Sequence, residues 1–479
     1  MTTTRSSSST SVRPATASSA RSAHPWWALT VLALAQFLVV LDASIVNIAL
    51  PSVGAALHLD TPSLAWVVTA YVLPFGGLLL LGGRLADRFG HRRIFLIGVA
   101  GFAASSLLAG LSVSGGMLLA ARALQGGFAA LLAPAALALL TLLFPDGGSR
   151  GTALGVWGAV AGMGSAAGVL LGGVLTASFG WPSVFFVNVP VGLLVLLVLP
   201  RLLSRDPRLQ PERIDTIGAV TATLGLASAV AALSEGGTLG WAHPIVLGLI
   251  AAAILLLGAF VLVERRAAHP LLPFAFFRNR DAAAGNLVML LVGGSTVALF
   301  FALSVYLQEV LGLDALGAGL SQLPLALALV AAAGTVPAVV AKVGLRPTLT
   351  GALLLLTAGV AWFAIAGRTG LVTGFLLPSV VIGVALGTTF VTATQLAVRG
   401  AGEAESGLAS GLVNTSQQIG GALGLAILGG IAAAQTAALT ASGSAPVDAT
   451  AGGFQLLFLG VAAFALIGAV ATVVVRRRG

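Results

Sequence analysis

Two charged residues of this chain, Asp42 and Arg122, could take part in chemistry because of their residue types and their positions. Asp42 lies inside a long apolar run that extends from about residue 27 to residue 50. It is the only carboxylate that the hydropathy pattern places deep in such a run. An ionised carboxylate costs several kcal/mol in hydrocarbon, so acids within membrane helices usually face a cavity and bind protons, ions or charged ligands. The alternative is a structural aspartate that pairs with a neighbouring helix.

Arg122 lies in the fourth apolar run, at a depth similar to that of Asp42. At about 1.5 Å per residue, Arg122 is about 9 Å from the outer end of its run and Asp42 about 12 Å from the same side. A buried arginine requires a partner, and Asp42 is the nearest acid in depth. The sequence therefore predicts an Asp42–Arg122 pair that couples proton binding to transport. A purely structural ion pair is the alternative.

The composition indicates that the elements carrying these two residues are membrane helices. Hydrophobic residues make up 58% of the chain and charged residues 8%, whereas soluble domains contain about 25% charged residues. The net charge of +9 arises from short basic runs between apolar stretches, which favours an anionic membrane face over nucleic acid as the partner. The absence of cysteine excludes disulfides, thiolate metal sites and thiol catalysis. No metal-ligand spacing, nucleophile–base set or phosphate-binding loop is present, so we expect neither an enzyme nor a cofactor.

Fourteen apolar runs are long enough to span a bilayer, and together they predict an all-α membrane protein. They lie near 27–50, 63–83, 94–114, 116–140, 151–175, 184–203, 214–235, 245–263, 282–305, 318–340, 347–366, 371–395, 407–433 and 454–475. With a cytoplasmic N-terminus, only Arg368 of the 24 basic residues falls outside and only Arg122 falls within a span. The positive-inside rule thus supports fourteen spans with both termini cytoplasmic, in the cytoplasmic (inner) membrane of a bacterium.

The spacing of the basic loops predicts a division into six, two and six helices. The expected units are a disordered cytoplasmic tail (1–26), a six-helix bundle (27–203), a two-helix insertion with its flanking loops (204–281), a second six-helix bundle (282–475) and a basic tail (476–479). Repeated six-helix halves typically place a substrate site near the middle of the membrane.

Two glycine-containing motifs stand out. The loop after the second span has glycines that permit a tight turn and an acid that can bond local arginines or a helix N-terminus; its marked residues are Gly83, Arg84, Asp87, Arg88, Gly90 and Arg92. The fifth span has small residues at a spacing that lets helices approach closely, namely Gly164, Gly168, Gly172 and Gly173. A solvated basic loop and simple helix packing are the respective alternatives.

Several polar residues within or near the spans could line a cavity or bond between helices. These candidates are Asn47, Gln125, Asn286, Gln308, Asn414 and Gln418. Glu235 ends the seventh span, and we expect it to be interfacial.

The motifs together resemble the fourteen-span drug:proton antiporter family of the major facilitator superfamily. The resemblance rests on segments 41–51, 83–93, 122–127, 185–190, 306–312 and 414–421 and extends from about residue 27 to 475. It implies the major facilitator fold, a conformational latch in the loop 83–93, and an arginine motif at Arg122 that is associated with proton coupling. In one respect the chain departs from the family: Val169 stands where the antiporter signature has proline.

The resemblance and the charges imply a proton-coupled antiporter that exports amphipathic drugs or antibiotics and confers resistance. We expect a drug-like small molecule, protons and the lipid bilayer as partners, no nucleic acid, and a monomer. Val169 leaves open a proton-coupled transporter of a metabolite such as an amino acid or siderophore, including uptake. A non-transporting scaffold is disfavoured, because it has no need of charges buried at such cost.

Overall fold

All regular structure in the described part of the chain is helical. The computed structural model describes residues 24–144, 147–203, 215–267, 274–366, 371–399 and 406–477. Most of the expected tail 1–26, the basic loop 204–214 and the end of the basic tail 476–479 lie outside these residues. The prediction of an all-α protein is confirmed.

The first bundle comprises six spans, the last of which is broken near its start. Its helices are α1 (Pro25–Leu57), α2 (Thr61–Phe89), α3 (His91–Gly110), α4 (Gly115–Leu143), α5 (Gly147–Phe179), the single turn α6 (Ser183–Phe186) and α7 (Asn188–Leu202). The insertion pair follows as α8 (Thr216–Leu239) and α9 (Pro244–Arg266).

The second bundle also comprises six spans, two of which contain a π-helical turn. Its elements are a 3₁₀ turn (Phe274–Arg278), α10 (Arg280–Val305) with a π turn (Tyr306–Val310), α11 (Ala315–Val343), α12 (Leu345–Ala366), a π turn (Leu371–Leu376) before α13 (Leu377–Ala397), α14 (Ser406–Ala441) and α15 (Pro446–Arg477).

The helix count agrees with the fourteen predicted runs. Thirteen segments of the described chain are long and apolar enough to cross a membrane, and α5 adds a shorter apolar stretch, Met163–Phe179. Most helices extend beyond their apolar runs, as in α15, which begins at Pro446 rather than near 454. The helix of the third run, α3, instead ends at Gly110 rather than 114. Ser114 accepts a hydrogen bond from Met117 N at 3.3 Å and so caps α4.

Glycines let the helices within each bundle approach to backbone contact. A Cβ on Gly82 of α2 would lie 2.0 Å from the Ala130 carbonyl oxygen of α4. The corresponding pair in the second bundle is α11 and α13, where a Cβ on Gly387 would lie 2.1 Å from the Leu329 oxygen. Lipid tails are as apolar as the helix side chains, so burial of apolar surface contributes little to helix association in a membrane. Close packing of this kind is then a main source of the association.

The most extensive contacts between the two bundles are those of α2 with α14, of α5 with α11 and of α1 with α10, and α1 also contacts α11. The insertion helix α8 packs on α2 and α14, and α9 packs on α8. The arginine-rich face is the end of the molecule that carries the loop 83–93 and the start of α10. The arginine-poor face is the opposite end, where α1 joins α2 and α10 joins α11.

Candidate functional site

Asp42 lies on α1 in the interior of the first bundle, with no exposed surface. Its Oδ2 accepts a hydrogen bond from Nη1 of Arg122 on α4 at 2.6 Å. Its Oδ1 accepts from Nε2 of Gln125 at 2.7 Å and from Nδ2 of Asn188 on α7 at 2.8 Å. The structure thus brings the two charged residues into direct contact, with two amides completing the shell of the carboxylate.

Arg122 makes further contacts through its guanidinium group. Nη1 also donates to Oε1 of Gln125 at 2.6 Å, and Nε donates to the Val67 carbonyl oxygen of α2 at 3.1 Å. The guanidinium carbon lies 4.3 Å from the ring centroid of Tyr71 and 5.9 Å from that of Phe185. Aromatic faces attract cations most strongly where water is excluded, so both rings favour the charged arginine here.

Ser106 of α3 connects the two amides. Its Oγ accepts from Nε2 of Gln125 at 2.8 Å and from Nδ2 of Asn188 at 3.4 Å, and it donates to the Phe102 carbonyl oxygen at 2.7 Å. The polar network, defined here as Asp42, Ser106, Arg122, Gln125 and Asn188, therefore joins four helices and is fully buried.

The polar network is electrically neutral as long as Asp42 is ionised. Removing either charge would leave the other buried without a counter-charge, which typically costs about 3–5 kcal/mol. If Asp42 takes up a proton, the network acquires a net positive charge in a low-dielectric surrounding. The loss of either charge would thus break the ion pair that joins α1 to α4.

The loop 83–93 is tighter than a simple solvated loop. Gly90 has φ of +99°, a conformation that side chains disfavour, and it ends α2 directly before α3. Oδ1 of Asp87 lies 3.1 Å from Nε2 of His91, the first residue of α3. Nη2 of Arg92 donates to the Pro200 carbonyl oxygen of α7 at 3.2 Å. Arg88 lies over the ring of Phe89, while Gly83 and Arg84 lie in the last turns of α2.

Comparison with known families identifies the fold to which this site belongs. The family described as Major Facilitator Superfamily matches residues 32–425, which is most of the chain. The chain belongs to the major facilitator superfamily.

Relatives within this superfamily are similar over nearly their full lengths. The puromycin resistance protein pur8 of Streptomyces alboniger is 43% identical over 440 residues, covering 90% of this chain and 87% of the relative. The cephamycin export protein CmcT of Amycolatopsis lactamdurans is 41% identical over 472 residues, covering 97% and 95%. Among solved structures, the POT family transporter PepTSo superposes with a TM-score of 0.69 over 94% of this chain and 98% of that one. At 16% identity, that likeness shows the fold alone.

The α5 glycines of this superfamily member face α1 and α11. A Cβ on Gly168 would lie 2.6 Å from Cβ of Ser44, and one on Gly172 would lie 3.0 Å from the Ile45 carbonyl oxygen. Gly164 lies against Phe37 in the same way. Gly173 faces α11, where its Cβ would lie 2.8 Å from the Ala315 oxygen. The pattern thus places α5 against helices of both bundles.

The polar candidates occupy different environments. Gln125 is fully buried in the polar network, and Asn286 is buried in the second bundle, where it accepts a hydrogen bond from Ser416 at 3.0 Å. Asn414 is exposed and bonds to its own helix. Gln418 is half-buried where α14 meets α2. Asn47 and Gln308 lie where α1 meets α10, as described below.

The sequence did not indicate several residues that surround the Asp42–Arg122 pair or that carry a buried charge elsewhere. Ser106 and Tyr71 gave no signal beyond being polar residues in apolar runs, and Asn188 was marked only as part of the segment 185–190. Glu264, near the end of α9, is only 3% exposed. Glu235 is half-buried in the last turns of α8. Among the residues that the structure describes, no group of His, Cys, Asp or Glu could hold a metal ion.

Proposed function

We propose that this protein is a fourteen-span proton-coupled antiporter that exports amphipathic antibiotics or similar drugs across the bacterial cytoplasmic membrane. Two relatives that are more than 40% identical are named for puromycin resistance and cephamycin export. The single observation that carries the proton coupling is the buried ion pair between Asp42 and Arg122. Acids buried within membrane helices are commonly proton carriers.

In the proposed cycle, Asp42 takes up a proton from the outer side and releases it to the cytoplasm as the drug leaves. Protonation neutralises the carboxylate and frees Arg122 from its ion pair, which leaves a positive charge on α4. Because breaking a buried pair costs several kcal/mol, the protonated network favours a different packing of α1, α3, α4 and α7. This preference links proton binding to the conformation of the first bundle.

Transport itself would proceed by alternating access between the first bundle (27–203) and the second bundle (282–475), around a site near the membrane midplane. We place both termini and the arginine-rich face in the cytoplasm, following the positive-inside rule. The loop residues Arg84, Asp87 and Arg88 would latch that face in one conformation. The protein would act as a monomer.

The experiment uses inside-out membrane vesicles with an acidic interior and a pH-sensitive dye in the lumen. Puromycin or a cephamycin is added outside, at the cytoplasmic face. Antiport exchanges drug for luminal protons, so we expect the luminal pH to rise in vesicles with the native protein. Asp42→Asn should abolish this rise. Asp448→Asn removes an exposed carboxylate in the first turn of α15, away from the polar network, and should behave like the native protein.

Drug binding in detergent, followed by quenching of tryptophan fluorescence, separates an uncoupled variant from an unfolded one. Asp42→Asn protein that binds drug but releases no protons supports the proposal. Proton release that persists in Asp42→Asn would show that the aspartate is structural. If the folded native protein releases protons with metabolites but with no drug, the metabolite transporter is the correct function.

A further inference from the structure

A proline in α1 leaves one backbone carbonyl without its helical donor. In an α-helix the carbonyl of each residue accepts the N–H of the residue four positions later, and proline has no N–H. Pro51 lies inside α1, which continues to Leu57, so the carbonyl of Asn47 has no donor within its own helix. Asn47 is only 9% exposed. A buried carbonyl in this position needs a donor from elsewhere.

That donor comes from the second bundle. The hydroxyl of Ser304, a fully buried residue of α10, donates to the Asn47 carbonyl oxygen. Nε2 of Gln308, one turn later, donates to the carbonyl oxygen of Ile48 at 3.0 Å and lies 3.2 Å from Oγ of Ser304. Two side chains of one bundle therefore bind two consecutive carbonyls of the other.

Gln308 belongs to the π turn that ends α10. Leu311 N donates to the Tyr306 carbonyl oxygen at 3.1 Å, five residues back, which is the bond that defines this turn. Such turns are rare and occur frequently at functional sites. Here the turn carries the residue that reaches across to α1.

An apolar contact lies beside these hydrogen bonds. Ile48 of α1, Val169 of α5 and Ala315 of α11 form a small buried cluster apart from the main core. Backbones approach closely there, because a Cβ on Gly319 would lie 2.8 Å from the Val169 carbonyl oxygen. Apolar residues from both bundles thus pack together beside the two hydrogen-bonded carbonyls of α1.

We infer that Ser304 and Gln308 form a lock that holds the two bundles together at the arginine-poor face, and that Pro51 makes the receiving carbonyl available. When the bundles separate there, the Asn47 carbonyl cannot return to a helical bond and must be hydrated. Opening therefore requires water to enter beside α1. Asp42 lies five residues away on the same helix, about 8 Å along its axis. The lock does not depend on the proposed drug or proton, although it would control water access toward Asp42.

The test measures the separation of the two bundles at the arginine-poor face. Because the chain has no cysteine, Val113→Cys in the α3–α4 loop and Ala445→Cys in the α14–α15 loop give two unique sites for nitroxide labels. Pulsed electron resonance then yields the distribution of distances between them. We expect one dominant short distance in the otherwise native protein.

Loss of the lock should populate longer distances. Ser304→Ala and Gln308→Leu should each raise the ratio of open to closed molecules about five-fold, and the double variant by more. Gln308 is half-buried, so its variant is expected to fold even if the buried serine variant does not. Pro51→Ala restores an N–H to the Asn47 carbonyl and should shift the distribution in the same direction.

Ser295→Ala is the matched control, since its hydroxyl is buried on the same helix and has no hydrogen-bond partner in the described structure. It should leave the distances unchanged. Unchanged distances in both lock variants, or an equal change in the control, would overturn the lock. Unchanged distances in Pro51→Ala alone would overturn the role given to the proline. Drug-dependent proton release is measured separately, so failure of the lock and failure of the proposed function are distinguishable.

Discussion

The two bundles hold different buried clusters, although their helices pack in corresponding pairs. In the first bundle this cluster is the polar network around Asp42 and Arg122. The second bundle instead has a cluster of rings in its half toward the arginine-poor face, with edge-to-face or tilted pairs at centroid distances of 4.6 to 6.5 Å. Its members are Phe301, Tyr306, Phe363, Phe375, Phe454 and Phe458.

Buried charges therefore lie in the interior of the first bundle, whereas packed rings lie in the interior of the second. In the second bundle, the described ion pairs of Asp281 with Arg346 and Arg399 lie at the arginine-rich face and not in the centre. Ring pairs stabilise by contact and do not change with protonation. We therefore expect the first bundle to respond to protons and the second bundle to act as a rigid counterpart.

The largest effect should come from removing one charge of the buried pair. Arg122→Gln leaves the Asp42 carboxylate buried without a counter-charge and should destabilise the protein by about 3–5 kcal/mol. The double variant Asp42→Asn/Arg122→Gln removes both charges but keeps polar groups, and should recover most of that loss. Thermal unfolding in detergent measures both. Equal stability of the single and double variants would mean that the pair is not the organising contact of the first bundle.

A smaller effect is expected in the ring cluster. Phe458→Leu preserves an apolar side chain but loses the edge-to-face contacts with Phe363 at 4.6 Å and Tyr306 at 5.9 Å. The expected loss is about 1–2 kcal/mol in thermal unfolding. The number of protons released per drug molecule in the vesicle assay should stay the same. A changed proton yield would contradict the division between a charged and a packed bundle.

The smallest effect concerns the ring over Arg122. The Tyr71 hydroxyl is buried and has no hydrogen-bond partner among the described residues, so Tyr71→Phe should match the native protein. Tyr71→Leu removes the aromatic face and should cost about 1 kcal/mol of stability. Comparing Tyr71→Leu in the native background and in Arg122→Gln isolates this contact, because the two losses should not be additive. Additive losses would show that the ring only fills space.

The sequence predicted more about Asp42 and Arg122 than about the residues around them. Depth along a helix follows from residue number at a constant rise, so two charges at one depth could be matched without a structure. The rotation of each helix about its axis does not follow in this way. Ser106 therefore gave no sign that it would bind Gln125, and Asn188 gave no sign that it would bind Asp42. For Gln125 the sequence left open whether it lines a cavity or bonds between helices.

The lock at Asn47 shows the same limit. The segments 41–51 and 306–312 were each recognisable, yet nothing in either indicated that the two meet. Pro51 could be read as a missing donor, but the identity of the replacement depends on which helix of the other bundle lies opposite.

Hydropathy and the positions of arginines alone determined the helical class, the number of spans and the predicted membrane orientation, because the bilayer imposes length and charge rules on each segment separately. Only the tertiary structure decided which faces meet. In a soluble helix an apolar stripe marks the buried face, whereas in lipid both the buried and the exposed faces are apolar, and the stripe disappears.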